Sequence, residues 1–271
     1  MIKHIFSDMD GTILNDLGDV SDHNAQVIKE YNIPVTLVSA RAPIEMVDAM
    51  DKLGISTPQI SFNGGLIFNK NSDQLKILHQ DTIEKNIGQE IIDIILNKFP
   101  DVSLSWYTLH NWYSQRIDSG ILLEKKYTSL LPQITTAKEF YSDPSHELFK
   151  IMIITFEPKT MQALKQYLLD QDFSGVAIQQ SSDTYLEITS EKAIKSKGIQ
   201  YVMNEEKLEP NELMAFGDGL NDLPMMRMVD YPVAMKNSLP EVLEIAKYIT
   251  KSNEEDGVAY ALQHYLPTIG Q

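Results

Sequence analysis

The sequence predicts an α/β fold: a doubly wound, Rossmann-like parallel sheet interrupted by an inserted α+β unit. Three observations lead there. Over the first eighty residues, short apolar runs ending in small or polar residues alternate with helical patterns, as parallel strands and their crossover helices do. The same alternation returns after about residue 195. Between the two stretches the rhythm changes, with strand-like pieces grouped and helices interspersed, which reads as an α+β insertion. The expected division is residues 1–82 with 191–271 for the parent domain and 83–190 for the insertion.

In chain order, residues 4–7, 35–38 and 59–62 read as the first three strands. A helix is expected between the second and third. Pro43 sits where a first-turn proline is tolerated, Gly54 sits where a helix commonly stops, and Ile44, Val47, Met50 and Leu53 form one apolar face between them. Within the insertion, strands are expected at 102–107, 112–116, 149–155 and 185–188, and helices at 89–98 and 159–170. After it, strands at 213–216, 231–234 and 248–250 alternate with helices at 199–204, 223–228 and 240–246. No internal repeat or low-complexity linker interrupts the chain.

A chain of 271 residues with 43% hydrophobic content can bury a substantial core in one large domain or two smaller ones. The absence of cysteine excludes disulfides, thiolate zinc sites and cysteine nucleophiles. A net charge of -15 argues against affinity for nucleic acid, since the mean field repels a phosphate polymer. A small phosphate ester is compatible with it, because a metal ion and one or two basic side chains set the local potential of a pocket. No apolar run approaches a membrane span. Met1-Ile2-Lys3-His4 runs directly into the first strand, which is read as leaving no room for a signal peptide, so a cytoplasmic location is expected.

In a doubly wound sheet, ligands bind beyond the carboxyl ends of the strands at the topological switch point. The residues there are Asp8, Asp10 and Thr12 after the first strand, Ser39 and Arg41 after the second, and Asn63 and Gly64 after the third. The strand near 213–216 adds Gly217-Asp218-Gly219, Asn221 and Asp222. Two carboxylates two residues apart at a strand end repel each other, and a bound divalent cation is the natural compensation. Magnesium takes hard oxygen ligands, usually one or two carboxylates with waters and a substrate phosphate. Asp8 and Asp218 suit that role, Asp222 suits holding a ligating water, and the Asp10 carbonyl is a further candidate. With no cysteine, and no base beside a serine, the nucleophile is a carboxylate. Asp8 at the strand tip is the better candidate, which leaves Asp10 to protonate the leaving oxygen and later deprotonate water.

Each residue also has a bland alternative. An isolated Asp-x-Asp often serves a turn after a strand. Ser39 is also placed to cap the helix near Pro43, and Arg41 suits a surface salt bridge as well as a phosphate contact. The six histidines, His4, His23, His79, His110, His146 and His264, show no metal-ligand spacing. Trp106, Tyr107, Trp112 and Tyr113 read as core packing of the insertion before substrate contact.

Asp8-Met9-Asp10-Gly11-Thr12, Ser39 and Gly217-Asp218-Gly219-Leu220-Asn221-Asp222, in this order, resemble the haloacid dehalogenase superfamily of phosphotransferases. The finer resemblance is to its Cof-type phosphatases. It rests on Ser61-Phe62-Asn63-Gly64-Gly65, Val233-Ala234-Met235-Lys236-Asn237 and the stretch from Thr250 to Ala259, and on an insertion placed where that family carries its type IIB cap. The resemblance implies magnesium, an aspartyl-phosphate intermediate, and a lysine that neutralises nucleophile and phosphoryl group. Lys192, Lys195 and Lys197 compete for that role. The family's lysine falls eight residues after the strand glutamate, here Glu187, which ranks Lys195 first. Ser39-Ala40-Arg41 stands where Thr-Gly-Arg is frequent and keeps the hydroxyl, while Lys236 replaces a common glycine. The implied catalytic set is Asp8, Asp10, Ser39 and Lys195, and the metal set is Asp8, Asp10, Asp218 and Asp222. Phosphate or substrate contacts fall to Met9, Gly11, Thr12, Ser39, Ala40, Arg41, Asn63, Gly64, Lys195 and Asn221.

The expected activity is Mg2+-dependent hydrolysis of a small phosphorylated metabolite, a sugar phosphate or cofactor precursor, with cap closure excluding water. A phosphomutase would use the same nucleophile. A phospho-accepting sensing module also clusters carboxylates, a hydroxyl and a lysine around magnesium, yet it needs neither a hundred-residue insertion nor a second carboxylate for proton transfer.

Overall fold

A computed structural model describes residues 1–71 and 74–269. The chain forms two compact units, one made of residues 1–41, 46–80 and the segment from Ile194 onward, the other of Ala42–Glu45 and Asp81–Ala193.

The first unit is built on a five-stranded parallel sheet in the order Tyr248–Ile249, Tyr231–Ala234, Leu213–Gly217, His4–Ser7, Val35–Leu37. Its three inner strands are buried on both faces, as a sheet covered by crossover helices requires. Helix Lys195–Glu206 lays Ile199, Val202 and Met203 against Phe6, Leu213 and Ala215 in one apolar cluster.

The third expected strand, shortened to Gln59–Ser61, meets the parallel sheet only at its far end, where the Ser39 N–H donates to the Ile60 carbonyl at 2.9 Å, and its longer pairing is antiparallel, with Leu66–Asn71, which pairs in turn with Gln74–Gln80. The buried side chain of Gln59 explains the switch. Its Oε1 accepts the Leu37 N–H at 2.8 Å and its Nε2 donates to the Val35 carbonyl at 3.2 Å, taking ladder positions that a parallel neighbour's backbone would fill. Backbone pairing begins only beyond it, at the parallel bridge Val38–Ile60.

The single helix expected from Pro43 to Gly54 is divided into a 3-10 turn, Pro43–Glu45, and the helix Val47–Leu53. Glu45 turns its Oε2 back onto the Ala42 N–H at 2.7 Å, closing the short turn, while Gly54 ends the helix at φ 67° as its position implied. Helix Asp22–Tyr31, capped by the Ser21 side chain on the Asn24 N–H, was not assigned from sequence.

In the second unit the sheet runs Val176–Gln180, Tyr185–Ser190, Lys150–Ile154, Ser103–Tyr107, Trp112–Ser114, Gln133–Ile134, antiparallel except for the last pair. Helices Lys85–Lys98 and Pro158–Asp170 bury Ile91, Ile92, Ile95, Met161, Leu164 and Leu168 in its core cluster. Trp106 and Tyr113 lie in that cluster and Tyr107 and Trp112 are buried as well, so the bland reading of this aromatic quartet holds.

Candidate active site

All five strands of the parallel sheet end on one edge. From His4–Ser7 the chain moves to Val35–Leu37 on one side and later to Leu213–Gly217 on the other, so the topological switch point falls at the first strand. Asp8 is the next residue. Its N–H donates to the Phe216 carbonyl at 3.0 Å, so the ladder continues one step past the strand and pins this backbone. A tight turn follows, in which the Met9 carbonyl accepts the N–H groups of Thr12 at 3.2 Å and Leu14 at 2.9 Å. Gly11 is required there twice over. Its φ is +75°, and a Cβ would lie 2.5 Å from Asp218 Oδ2. Thr12 Oγ1 donates to Asp218 Oδ1 at 3.0 Å, so this hydroxyl orients the second acidic residue.

The Gly217–Asp222 turn is held by Asp222, which is fully buried. Its Oδ2 accepts the N–H groups of Asp218 and Gly219 at 3.0 Å each, and its Oδ1 accepts from Lys195 Nζ at 2.8 Å. Lys195 is the first residue of its helix, is 2% exposed, and also donates to Asp8 Oδ1. Of the three competing lysines, Lys192 and Lys197 are exposed and Lys195 alone reaches the acidic cluster.

Oxygens of Asp8, Asp218 and Asp222 lie within 4.8 Å of one another with one ammonium among them. Burial, reinforced by Asp222 and opposed by Lys195, pushes the Asp8 carboxyl well above the usual carboxylate range. Burial and Asp222 likewise push Asp218 up to about 6. Burial alone would lower the Lys195 ammonium, but Asp222 and Asp8 outweigh it and hold it above its ordinary value. A cluster of hard oxygen donors with too little positive charge is the donor set a divalent cation fits.

The remaining predicted residues surround this centre. Asp10 is gripped by the Arg41 guanidinium, with Nε at 3.0 Å from Oδ2 and Nη2 at 2.6 Å from Oδ1. Arg41 is thus an ion-pair partner in this conformation, although that pair lies at the site and not on a remote surface. Ser39 is buried, and its Oγ accepts the Arg41 N–H at 3.0 Å, closing the loop that contains Ala40. Asn63 and Gly64 act through the backbone. They lie in a left-handed run, Phe62 at φ 49°, Asn63 at 57° and Gly64 at 102°. The Asn63 N–H donates to the Ser39 carbonyl at 2.8 Å, and a Cβ on Gly64 would meet the carbonyl of Ile194, the residue before Lys195, at 2.4 Å. The Met9 side chain is buried in the core, and Asn221 is exposed on its turn. Asn237 and Ser238 received no role from sequence, yet they contact Gly11 and Gly217. The Met235-Lys236-Asn237 motif was the available signal.

Comparison with known proteins matches residues 5–262 to a family described as haloacid dehalogenase-like hydrolase. Phosphatase YwpJ of Bacillus subtilis is 26% identical, the alignment covering 98% of this chain and 100% of the relative. From the same organism, 5-amino-6-(5-phospho-D-ribitylamino)uracil phosphatase YwtE is 25% identical, with 98% of each chain covered. A solved haloacid dehalogenase-like hydrolase from Bacteroides thetaiotaomicron superposes with a TM-score of 0.88 at 22% identity, covering 98% of this chain and 100% of its own.

Proposed function

Because the chain belongs to the haloacid dehalogenase-like hydrolases, we propose that it is a magnesium-dependent phosphatase that cleaves a small phosphorylated metabolite through a phosphoryl-Asp8 intermediate. The observation that carries this reading is the Asp8 carboxylate at the tip of the central strand, paired with buried Lys195 and grouped with Asp218. When bound, magnesium supplies the positive charge that keeps Asp8 ionised and screens the phosphoryl oxygens from it. Asp8, Asp218 and the Asp10 carbonyl would hold it. Both oxygens of Asp222 already accept protein N–H donors, so it would serve the ion through a water, and its direct work is to hold Lys195 and the Gly217–Asp222 turn.

The chain's own groups divide the chemistry. An Asp8 carboxylate oxygen attacks phosphorus, and the bond from phosphorus to the ester oxygen breaks as Asp10 gives that oxygen a proton. Water then attacks the same phosphorus, Asp10 takes its proton, and phosphate leaves as Asp8 is regenerated. For either transfer one Asp10 oxygen must come free of the Arg41 fork. Lys195 and the Ser39 hydroxyl, whose proton is not used in accepting from Arg41, stabilise the equatorial oxygens. Substrate choice is assigned to the 83–190 cap. Among the described residues no helix is long and apolar enough to cross a membrane.

The test is phosphate release from a panel of sugar phosphates and cofactor precursors, including the ribitylaminouracil phosphate named for the B. subtilis relative. Release with Mg2+, its loss in EDTA, and its loss in Asp8→Asn are expected. Equal release by wild type and Asp8→Asn would remove the mechanism, and tight binding without release would indicate a sensing module.

A further inference from the structure

We propose that Asn237 and Asn253 are positioning residues that hold the nucleophile turn in register with the turn carrying Asp218. The proposal rests on the phosphatase reading for its kinetic consequence and on hydrogen-bond geometry for its substance.

The nucleophile turn leaves the sheet after Asp8 and must be held from outside. Asn237 Nδ2 donates to the Gly11 carbonyl at 2.8 Å, while its Oδ1 accepts the Asn253 N–H at 3.2 Å. Asn253 is buried, and its Nδ2 donates to the Leu14 carbonyl and to Asp16 Oδ1, each at 3.1 Å. Two linked asparagines therefore grip the turn at Gly11 and again at Leu14. The segment that carries Asn237 grips the opposite turn as well. The Gly217 carbonyl accepts the Met235 N–H at 3.3 Å and the Ser238 hydroxyl at 3.2 Å, and the Asp218 carbonyl accepts the Leu239 N–H at 3.0 Å. One five-residue stretch thus spans both turns.

What it spans is a close approach between the two turns. Gly11 lies so near Asp218 that a Cβ would fall 2.5 Å from its Oδ2, so sliding one turn against the other changes the distance from Asp8 to Asp218 directly. An amide side chain is the group suited to the post, because it must donate to a carbonyl and accept an N–H at once. A carboxylate cannot donate, and it would set a negative charge against the Gly11 carbonyl. Neighbouring Lys236 supplies a control, since its ammonium is largely exposed and pairs with Glu255 at 3.2 Å.

The experiment compares Asn237→Asp, Asn237→Ala, Asn253→Ala and Lys236→Ala with wild type for kcat, KM, Mg2+ half-saturation and the thermal shift produced by Mg2+. Displacement by on the order of 1 Å costs up to about 100-fold in rate. We therefore expect kcat to fall about 10- to 100-fold in both Asn237 variants, with KM within about threefold and a higher Mg2+ half-saturation. Asn253→Ala should fall in the same direction, and Lys236→Ala should match wild type. A metal-free melting temperature that drops while kcat and Mg2+ half-saturation stay within about twofold would show a merely structural role and overturn the proposal. If wild type binds Mg2+ but hydrolyses nothing, the phosphatase reading fails and the clamp is judged by the Mg2+ shift alone: a reduced shift in Asn237→Asp supports it, an unchanged one overturns it. Should the Asn237 variants not fold, Asn253→Ala decides by the same two readouts. A wild type that shows neither a Mg2+ shift nor hydrolysis overturns both readings.

Discussion

Asp218 illustrates the conflict between site and stability. Its carboxyl stands at about 6 in the folded protein against an ordinary 3.8, with burial the first cause and Asp222 the second. Between those two values the folded state keeps a proton that the unfolded state has lost. Unfolding therefore releases a proton in that window, and this residue's contribution to metal-free stability falls as pH rises through it and stays lost above it. Asp218→Asn removes the buried charge. Without metal at pH 7 the variant should be more stable than wild type by on the order of 1 kcal/mol, with the gap closing below about pH 4. Excess Mg2+ should reverse the ranking, because an ion that binds only the folded wild type stabilises it by mass action. Urea unfolding across that pH range, with and without Mg2+, checks both signs. A variant no more stable than wild type at pH 7 without metal would mean that the carboxylates are not in conflict.

At the scale of elements, the helix that presents Lys195 is set by a glycine contact. A Cβ on Gly198 would come within 2.7 Å of Ile60 Cγ2, and a β-branched side chain has little freedom to retreat. Gly198→Ala gains roughly 1 kcal/mol in helix propensity and loses about 1–3 kcal/mol to overpacking, so net stability should fall by about 0–2 kcal/mol. Activity should not be spared, since the helix must move outward one turn from Lys195. We expect kcat to fall several-fold and Ile60→Ala, which clears the space, to restore part of it in the double variant; unchanged kcat in Gly198→Ala would dissociate helix position from Lys195. The strands that carry Asp8, Ser39 and Asp218 were legible because an apolar run stopping on polar residues is a local signal. The sheet change at Gln59 was not, because it depends on a side chain filling ladder positions of a strand 22 residues away. The split at Glu45 was equally hidden, since apolar periodicity does not reveal that a carboxylate turns back on the Ala42 N–H.

For the whole molecule, alternation before residue 80 and after 195 foretold one sheet shared by the two ends of the chain, and Leu213–Gly217 does pair with His4–Ser7. The charge of -15 recurs at the site, where Lys195 and Arg41 face four carboxylates, Asp8, Asp10, Asp218 and Asp222, so an anion is accommodated there only with a divalent cation in place. Sequence brought up Asp8, Lys195, Asp218 and Asp222, and the structure places these four together. It left open which atom meets which: that Arg41 holds Asp10, that Asp222 anchors Lys195, and that Asn237 reaches Gly11 are matters of three-dimensional approach across 27 to 226 residues. The role of Asp8 as nucleophile is tested most directly by acid-quenching Asp10→Asn during turnover with Mg2+ and a hydrolysed substrate, then weighing the peptide that contains residue 8. A phosphoryl adduct on Asp8 is expected, and it builds up above the wild-type level when loss of Asp10 slows proton removal from the attacking water more than proton delivery to the leaving oxygen. Turnover with no adduct on that peptide, or undiminished turnover in Asp8→Asn, would contradict it.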